Sequence, residues 1–207
     1  VATPTPASDG ERVFAFYSSS DLICTDLAGN LQWYRGLGAE YRNASNSLGM
    51  SSSPIVIGST VIVQAESEAE AFAAGVDTVT GETKWKIDRP RKANWTSPTI
   101  LPAAEGRPAL ALLQSSAGLS AVDPETGNVV WTFDNGASTI PSSLVVDGTV
   151  VIPSNGLTTI KPSADGSAIE SVWNASNLGP STPSPVVING LTITVNSAGA
   201  LSAGDIT

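Results

Sequence analysis

The chain has 207 residues, 41 % of them hydrophobic, with ten lysines and arginines against nineteen aspartates and glutamates, a net charge of −9. It has no histidine and one cysteine, Cys24, which excludes a Ser–His–Asp triad, a His-ligated zinc and an intrachain disulfide within it. An acidic chain without a basic stripe argues against a nucleic-acid partner, and no run is long and apolar enough to span a bilayer as a helix.

Taken in order, the first feature is Cys24-Thr-Asp26-Leu-Ala-Gly29-Asn-Leu-Gln-Trp33, a polar turn with glycine followed by a tryptophan. Cys24 sits two residues before the turn aspartate and reads as a small buried hydrophobe. A long segment, 34–53, follows, with Arg35, Glu40, Tyr41, Arg42 and Asn43. Ser53-Pro54 then opens a short apolar run, and Glu66-Ser-Glu68-Ala-Glu70 interrupts the next. The turn returns as Asp77-Thr-Val-Thr80-Gly81-Glu-Thr-Lys-Trp85, followed by Asp88, Arg89, Arg91, Lys92, Asn94 and Trp95. Trp95 is the tryptophan that falls outside the repeat register.

After Ser97-Pro98 four strands are legible: 99–101, 109–114, 119–123 and 128–133, with turns at 105–108 and 115–118. Valine, leucine, isoleucine and tryptophan fill the strands; Gly, Pro, Asn, Asp and Ser fill the turns. This unit holds the clearest copy of the phrase, Ala121-Val-Asp123-Pro-Glu-Thr126-Gly127-Asn-Val-Val-Trp131. Ile140-Pro141 opens the next unit, where Asp147-Gly148 and Asn155-Gly156 between β-branched runs predict hairpins. Lys161-Pro-Ser-Ala-Asp165-Gly166 leading to Trp173 is a looser fourth copy, and Ala203-Gly-Asp205 begins a fifth. The nearest helical candidate, 66–74, is short.

The prolines at 54, 98, 141 and 185 lie 44, 43 and 44 residues apart. Four short strands at a period in the forties predict an all-β fold, a β-propeller of four-stranded antiparallel blades. The repeats run approximately 1–35, 53–87, 97–134, 140–174 and 184–207, within one domain over 1–207. The expectation is about four complete blades and part of a fifth, a piece of a larger propeller whose remaining blades come from the same parent chain or another. In the turn, the aspartate accepts backbone N–H bonds and glycine takes the left-handed conformation. Asp26, Gly29, Trp33, Asp77, Gly81, Trp85, Asp123, Gly127, Trp131 and Trp173 are therefore expected to be structural, the indoles wedged against neighbouring blades.

The pattern Ala-x-Asp-x-x-Thr-Gly-x-x-x-Trp resembles the repeat of the quinoprotein, or PQQ-repeat, β-propeller superfamily, which embraces quinoprotein alcohol dehydrogenases and BamB-like outer-membrane assembly proteins. The likeness covers essentially the whole chain. It implies six to eight blades in the closed ring and a periplasmic, secreted or cell-surface location.

In such a propeller the inter-blade loops share one face with the loops between a blade's second and third strands, and the Thr-Gly turns occupy the other. The expected binding face therefore carries Tyr41, Arg42, Asn43, Glu66, Glu68, Arg89, Arg91, Asn94 and Trp95. Each has a plainer reading beside the functional one. Alternating Glu66, Glu68 and Glu70 offer oxygen ligands for calcium but suit a solvated tip. The basic residues suit an anion or an exposed salt-bridge patch. Trp95 suits a stacking platform or a plug. Asn43, Asn94 and Asn174 each match the glycosylation pattern.

Two functions compete. The favoured one is a non-catalytic scaffold that binds a partner protein or a surface glycan through the loop face, with no metal or cofactor of its own. The alternative, implied by the resemblance, is a PQQ- and calcium-dependent dehydrogenase of alcohols or sugars. The single cysteine forbids the adjacent-cysteine disulfide of many such alcohol dehydrogenases. A structural module within a larger secreted protein is a third reading.

Overall fold

A computed structural model of the chain describes residues 4–41, 49 and 51–206. Five antiparallel sheets follow one another along the sequence. The first holds β1 (Ala7–Ser8), β2 (Arg12–Phe16), β3 (Asp21–Asp26) and β4 (Leu31–Gly36). The second holds β5 (Ile55–Ile57), β6 (Thr60–Glu66), β7 (Ala71–Asp77) and β8 (Thr83–Asp88). The third holds β9 (Thr99–Leu101), β10 (Leu110–Ser115), β11 (Gly118–Val122) and β12 (Val129–Phe133). The fourth holds β13 (Leu144–Val146), β14 (Thr149–Ile152), β15 (Leu157–Pro162) and β16 (Ile169–Ala175). The fifth has three described strands: β17 (Val186–Ile188), β18 (Leu191–Val195) and β19 (Leu201–Asp205). One helical turn, α1 (Leu37–Glu40), and one 3₁₀ turn at Ser176–Leu178 complete the regular structure. The fold is an all-β set of propeller blades, each an up-and-down meander.

The core lies between blades rather than within them. Phe14, Phe16, Leu22 and Cys24 of the first blade pack on Val61, Val63, Phe72 and Ala74 of the second. Trp85 meets Ala111, Leu113 and Val122 across the next junction, and Leu112 and Trp131 meet Val150 and Ile152 across the third. Buried on both faces, β6 and β10 read as continuous apolar runs rather than as alternation. This is why 66–74, with its abundant alanine, is strand–turn–strand and not helix.

The short first strands β1, β5, β9 and β13 lie side by side along the inner edge. A chain of hydrogen bonds tracks them. The N–H of Thr5 donates to Ser53 Oγ (2.9 Å), that of Ser53 to Ser97 Oγ (2.9 Å), that of Ser97 to Ser142 Oγ (3.0 Å), and that of Ser142 to Ser184 Oγ (2.9 Å). These serines give the true register. Pro54, Pro98 and Pro185 each follow their serine, but Pro141 precedes Ser142, so Ser143 holds the proline position in the fourth blade. The first blade also has an inner strand, Ala7–Ser8, paired with β2 through Ala7 opposite Phe14 and Ser8 opposite Val13.

The third and fourth strands carry a repeated bulge, between Cys24 and Thr25, Gly75 and Val76, Ala121 and Val122, and Thr159 and Ile160. Opposite the first member of each pair stands a tryptophan: Trp33, Trp85, Trp131 and Trp173. Each of three indoles reaches forward into the next blade. Trp33 Nε1 donates to Thr78 O (3.1 Å), Trp85 Nε1 to Pro124 O (2.8 Å) and Trp173 Nε1 to Ile206 O (2.6 Å). The acceptor is always the residue after the turn aspartate or its equivalent. The ring then lies on the turn glycine: a Cβ on Gly81 would stand 2.8 Å from the Trp33 ring, and one on Gly127 2.6 Å from that of Trp85. Both glycines have φ of +73°.

Trp131 breaks the pattern. The fourth blade's hairpin continues its pairing through Lys161 with Glu170 and Pro162 with Ile169, so Lys161 takes the aspartate position. Gly166 meets not an indole but the aliphatic stem of Arg107, whose Cγ and Cδ lie 2.5 Å from where its Cβ would be. Trp131 Nε1 and Arg107 Nη1 are both buried with no hydrogen-bond partner among the described residues.

The turn carboxylates titrate predictably. Asp26 Oδ1 accepts from the N–H groups of Ala28 (2.9 Å) and Asn30 (2.8 Å), and Asp77 Oδ1 from those of Val79 and Thr80 (2.9 Å each). The Asn30 side-chain amide most of all holds Asp26 below the usual carboxylate range, and the Thr80 N–H does so for Asp77. Asp165, bonded by the hydroxyls of Ser163 and Ser167, is lowered to about 2. Groups whose folded pKa lies below the unfolded value of about 3.9 stabilise the fold above that pH and lose the contribution as pH falls toward the folded value. Thermal midpoints are therefore expected to fall between about pH 4 and about pH 2, and Asp165→Asn is expected to flatten that fall. An unchanged acid profile in this variant would show that the turn carboxylate contributes nothing.

Candidate functional site

The loop face gathers as the meander requires. The Gly38 N–H of the first inter-blade segment donates to Ser20 O in a second-to-third-strand turn (3.2 Å), and that of Gly136 to Ala117 O (3.1 Å). The residues expected on this face divide into three groups. Arg42 and Asn43 lie outside the described residues. Glu66, Arg89 and Asn94 are buried. Tyr41, Glu68, Arg91 and Trp95 have some exposure.

The buried group forms one polar network across the second and third blades. Arg89 Nε donates to Glu66 Oε1 (2.8 Å), and its Nη2 to Leu113 O (3.0 Å). Asn94 Nδ2 donates to Glu66 Oε2 (2.9 Å) and to Gln114 O (2.8 Å). Burial pushes the Glu66 carboxyl above its usual value, against the opposing pull of Arg89 and Asn94. The network extends through Gln114, whose Nε2 donates to Ser138 O (2.6 Å) and Pro141 O (2.9 Å), and whose Oε1 accepts from the Ser143 N–H (2.7 Å). Gln64 is the same position one blade earlier. There Pro98 stands in place of Ser143 and has no N–H, which leaves Gln64 Oε1 without a hydrogen-bond partner among the described residues.

These placements correct several expectations. Glu66 faces Arg89 and Asn94 while Glu68 is exposed, so the alternating glutamates do not converge on a cation. No group of three metal-ligating side chains occurs among the described residues. Asn94, being buried, is not a glycan acceptor, and Asn174 Nδ2 donates inward to Leu157 O (3.1 Å) and Thr158 Oγ1 (2.9 Å). Tyr41 packs at 4.3 Å from the Phe72 ring, with Lys86 Nζ 4.0 Å above it. Trp95 ties three inter-blade segments: its N–H donates to Thr139 O (2.8 Å), its Nε1 to Gly49 O (3.0 Å), and its carbonyl accepts from Ser51 Oγ (3.3 Å). Arg91 lines a charged cleft of about 260 Å³ with Glu70 and Asp88.

A larger cleft, about 360 Å³, lies on the same face between the third and fourth blades and reaches Gly179 and Pro180. Ser116, Asn135, Ser138 and Asn155 line it. In the sequence these residues are indistinguishable from ordinary turn formers, because Asn, Ser and Gly are the residues that turns favour. The available signal was positional: Asn135-Gly136 and Asn155-Gly156 fall in two neighbouring loops of the loop face.

The family profile described as "Outer membrane protein assembly factor BamB" matches residues 1–207. The chain belongs to that family. No curated protein sequence matches it significantly. Among solved structures, BamB from Moraxella catarrhalis is similar with a TM-score of 0.72 at 20 % identity, covering 100 % of this chain and 59 % of that one. The quinohemoprotein alcohol dehydrogenase from Comamonas testosteroni gives 0.59 at 14 %, covering 84 % and 36 %, and a europium-containing methanol dehydrogenase 0.58 at 12 %, covering 81 % and 40 %. At these identities the likeness shows a shared fold. The BamB-family chain thus spans a little over half the length of its BamB neighbour.

The described residues do not fit a calcium-bound quinone. The one fully buried carboxylate of the loop face, Glu66, is neutralised by Arg89, and no second acid joins it to complete an oxygen cage.

Proposed function

We propose that this BamB-family propeller is a non-catalytic interaction scaffold, in a periplasmic, secreted or cell-surface setting, that engages a partner protein through its loop face. The observation that carries the reading is how the polar groups of that face are used. The buried ones, Glu66, Arg89, Asn94 and Gln114, bond one another and the backbone and so hold loops in place. The exposed ones, Glu68 and Arg91, remain at the surface for contact. Loops held on a rigid scaffold are where binding tends to reside.

Site-specific photo-crosslinkers at Glu68 and Arg91, with Glu82 on the opposite face as control, test this in cells that express the protein. Protein adducts at the first two positions and none at Glu82 are the expected result. Saturable binding of PQQ with calcium that raises the melting temperature would instead revive the dehydrogenase reading.

A further inference from the structure

The larger cleft has a chemistry that narrows its ligand. No charged side chain lines it, so neither a phosphate nor a carboxylate finds a counter-ion there. No aromatic ring lines it either, which removes the stacking surface that a pyranose ring favours. What remains are the hydroxyl of Ser154, which donates to Asn135 O (3.4 Å), and the carboxamides of Asn135 and Asn155 with the hydroxyls of Ser116 and Ser138, none of which donates to or accepts from another described group through its side chain. A carboxamide presents a donor and an acceptor side by side. That pairing matches the alternating N–H and C=O of an extended polypeptide.

The walls are fixed before anything binds. Ser138 N–H donates to Pro153 O (2.8 Å) and Gly136 N–H to Ala117 O (3.1 Å), joining the inter-blade segment to both flanking hairpins. Gln114 Nε2 pins Ser138 from below, and Asn174 Nδ2 holds the Asn155 carbonyl (3.1 Å). A preorganised cleft avoids the ordering cost that a mobile loop would incur on binding. Its volume lies at the small end of ligand pockets, which suits a short segment rather than a folded surface.

We infer that the cleft between the third and fourth blades binds an extended, uncharged peptide segment of the partner, with Asn135 and Asn155 bonding its main chain. This rests on the scaffold reading and names the partner chemistry at one place on that face.

Titration of the ¹⁵N-labelled full chain with the capped peptide acetyl-Ser-Ala-Gly-Ser-Ala-Gly-amide tests it, with chitotriose and inorganic phosphate as parallel arms. Saturable shifts of the Asn135 and Asn155 side-chain amides by the peptide alone are expected. Asn135→Ala and Asn155→Gly, the latter keeping the positive φ of 49° accessible, should each weaken binding about tenfold with an unchanged melting temperature. No saturable shift with the peptide, or a shift with chitotriose or phosphate instead, would overturn the inference. Crosslinks at Glu68 and Arg91 that persist after such a result would leave the scaffold standing. Their absence would remove the scaffold reading itself.

Discussion

Replacing Glu66 by alanine is expected to lower the unfolding free energy by about 3–5 kcal/mol, the usual cost of leaving one partner of a buried ion pair uncompensated. Arg89 is buried, with its Nε 2.8 Å from the lost carboxylate. Its remaining bonds to Ser120 Oγ (3.2 Å) and Leu113 O (3.0 Å) are to neutral acceptors. Denaturant unfolding of the variant measures the cost. The double replacement Glu66→Leu with Arg89→Leu should recover most of it, because no buried charge is then left. A single-variant cost below about 1 kcal/mol would mean that Arg89 escapes to water and that the network does not tie the blades. Burial raises the folded pKa of this carboxyl against the pull of Arg89 and Asn94, so ionising Glu66 carries a desolvation cost that offsets part of the ion-pair attraction, and this cost appears as pH rises through the folded value, the opposite direction to the turn aspartates.

Trp85→Ala is expected to cost about 3–5 kcal/mol. The ring is buried at the second junction, packs against Ala111 and Leu113, and holds Pro124 O through Nε1. Gly127→Ala attacks the same contact from the other side. It forces a non-glycine residue to φ +73° and drives a methyl to within 2.6 Å of the indole. A sharper comparison separates ring from hydrogen bond. Trp85→Phe loses a donor with an acceptor, whereas Trp131→Phe removes a buried N–H that has none. Trp85→Phe should therefore be the more damaging by about 1–2 kcal/mol, read from paired denaturation curves. Equal costs would mean that the bond to Pro124 O adds nothing to the packing.

Much of this architecture is written in turn chemistry. Asp, Gly and Trp at fixed offsets announce the blades because each does a job that few residues can: accept N–H groups, adopt positive φ, or fill a large gap between sheets. The register was less legible. Pro141 mimics Pro98 in the sequence, yet only the serine bonds reveal that Ser143 is its counterpart, and the consequence for Gln64 and Gln114 depends on that one-residue shift. Burial of charge was the harder matter. Glu66, Arg89 and Asn94 read as surface residues because such side chains are seldom fully buried unless paired, and the pairing joins residues far apart in the chain. Arg107 read as part of a turn, but its stem occupies the position on Gly166 that an indole takes elsewhere.

The forward reach of the indoles gives the molecule a polarity in time as well as in space. In the first, second and fourth blades the repeat tryptophan finds its carbonyl on the blade that follows it in sequence. During synthesis, a newly completed blade must therefore wait for the next turn to emerge before its indole N–H is satisfied. At a few seconds per blade on the ribosome, the nascent chain would always present one open tryptophan at its growing end. Assembly would then advance like a row of latches, each closed by its successor. The third latch, where Trp131 Nε1 has no hydrogen-bond partner among the described residues, is the one that its successor would leave open.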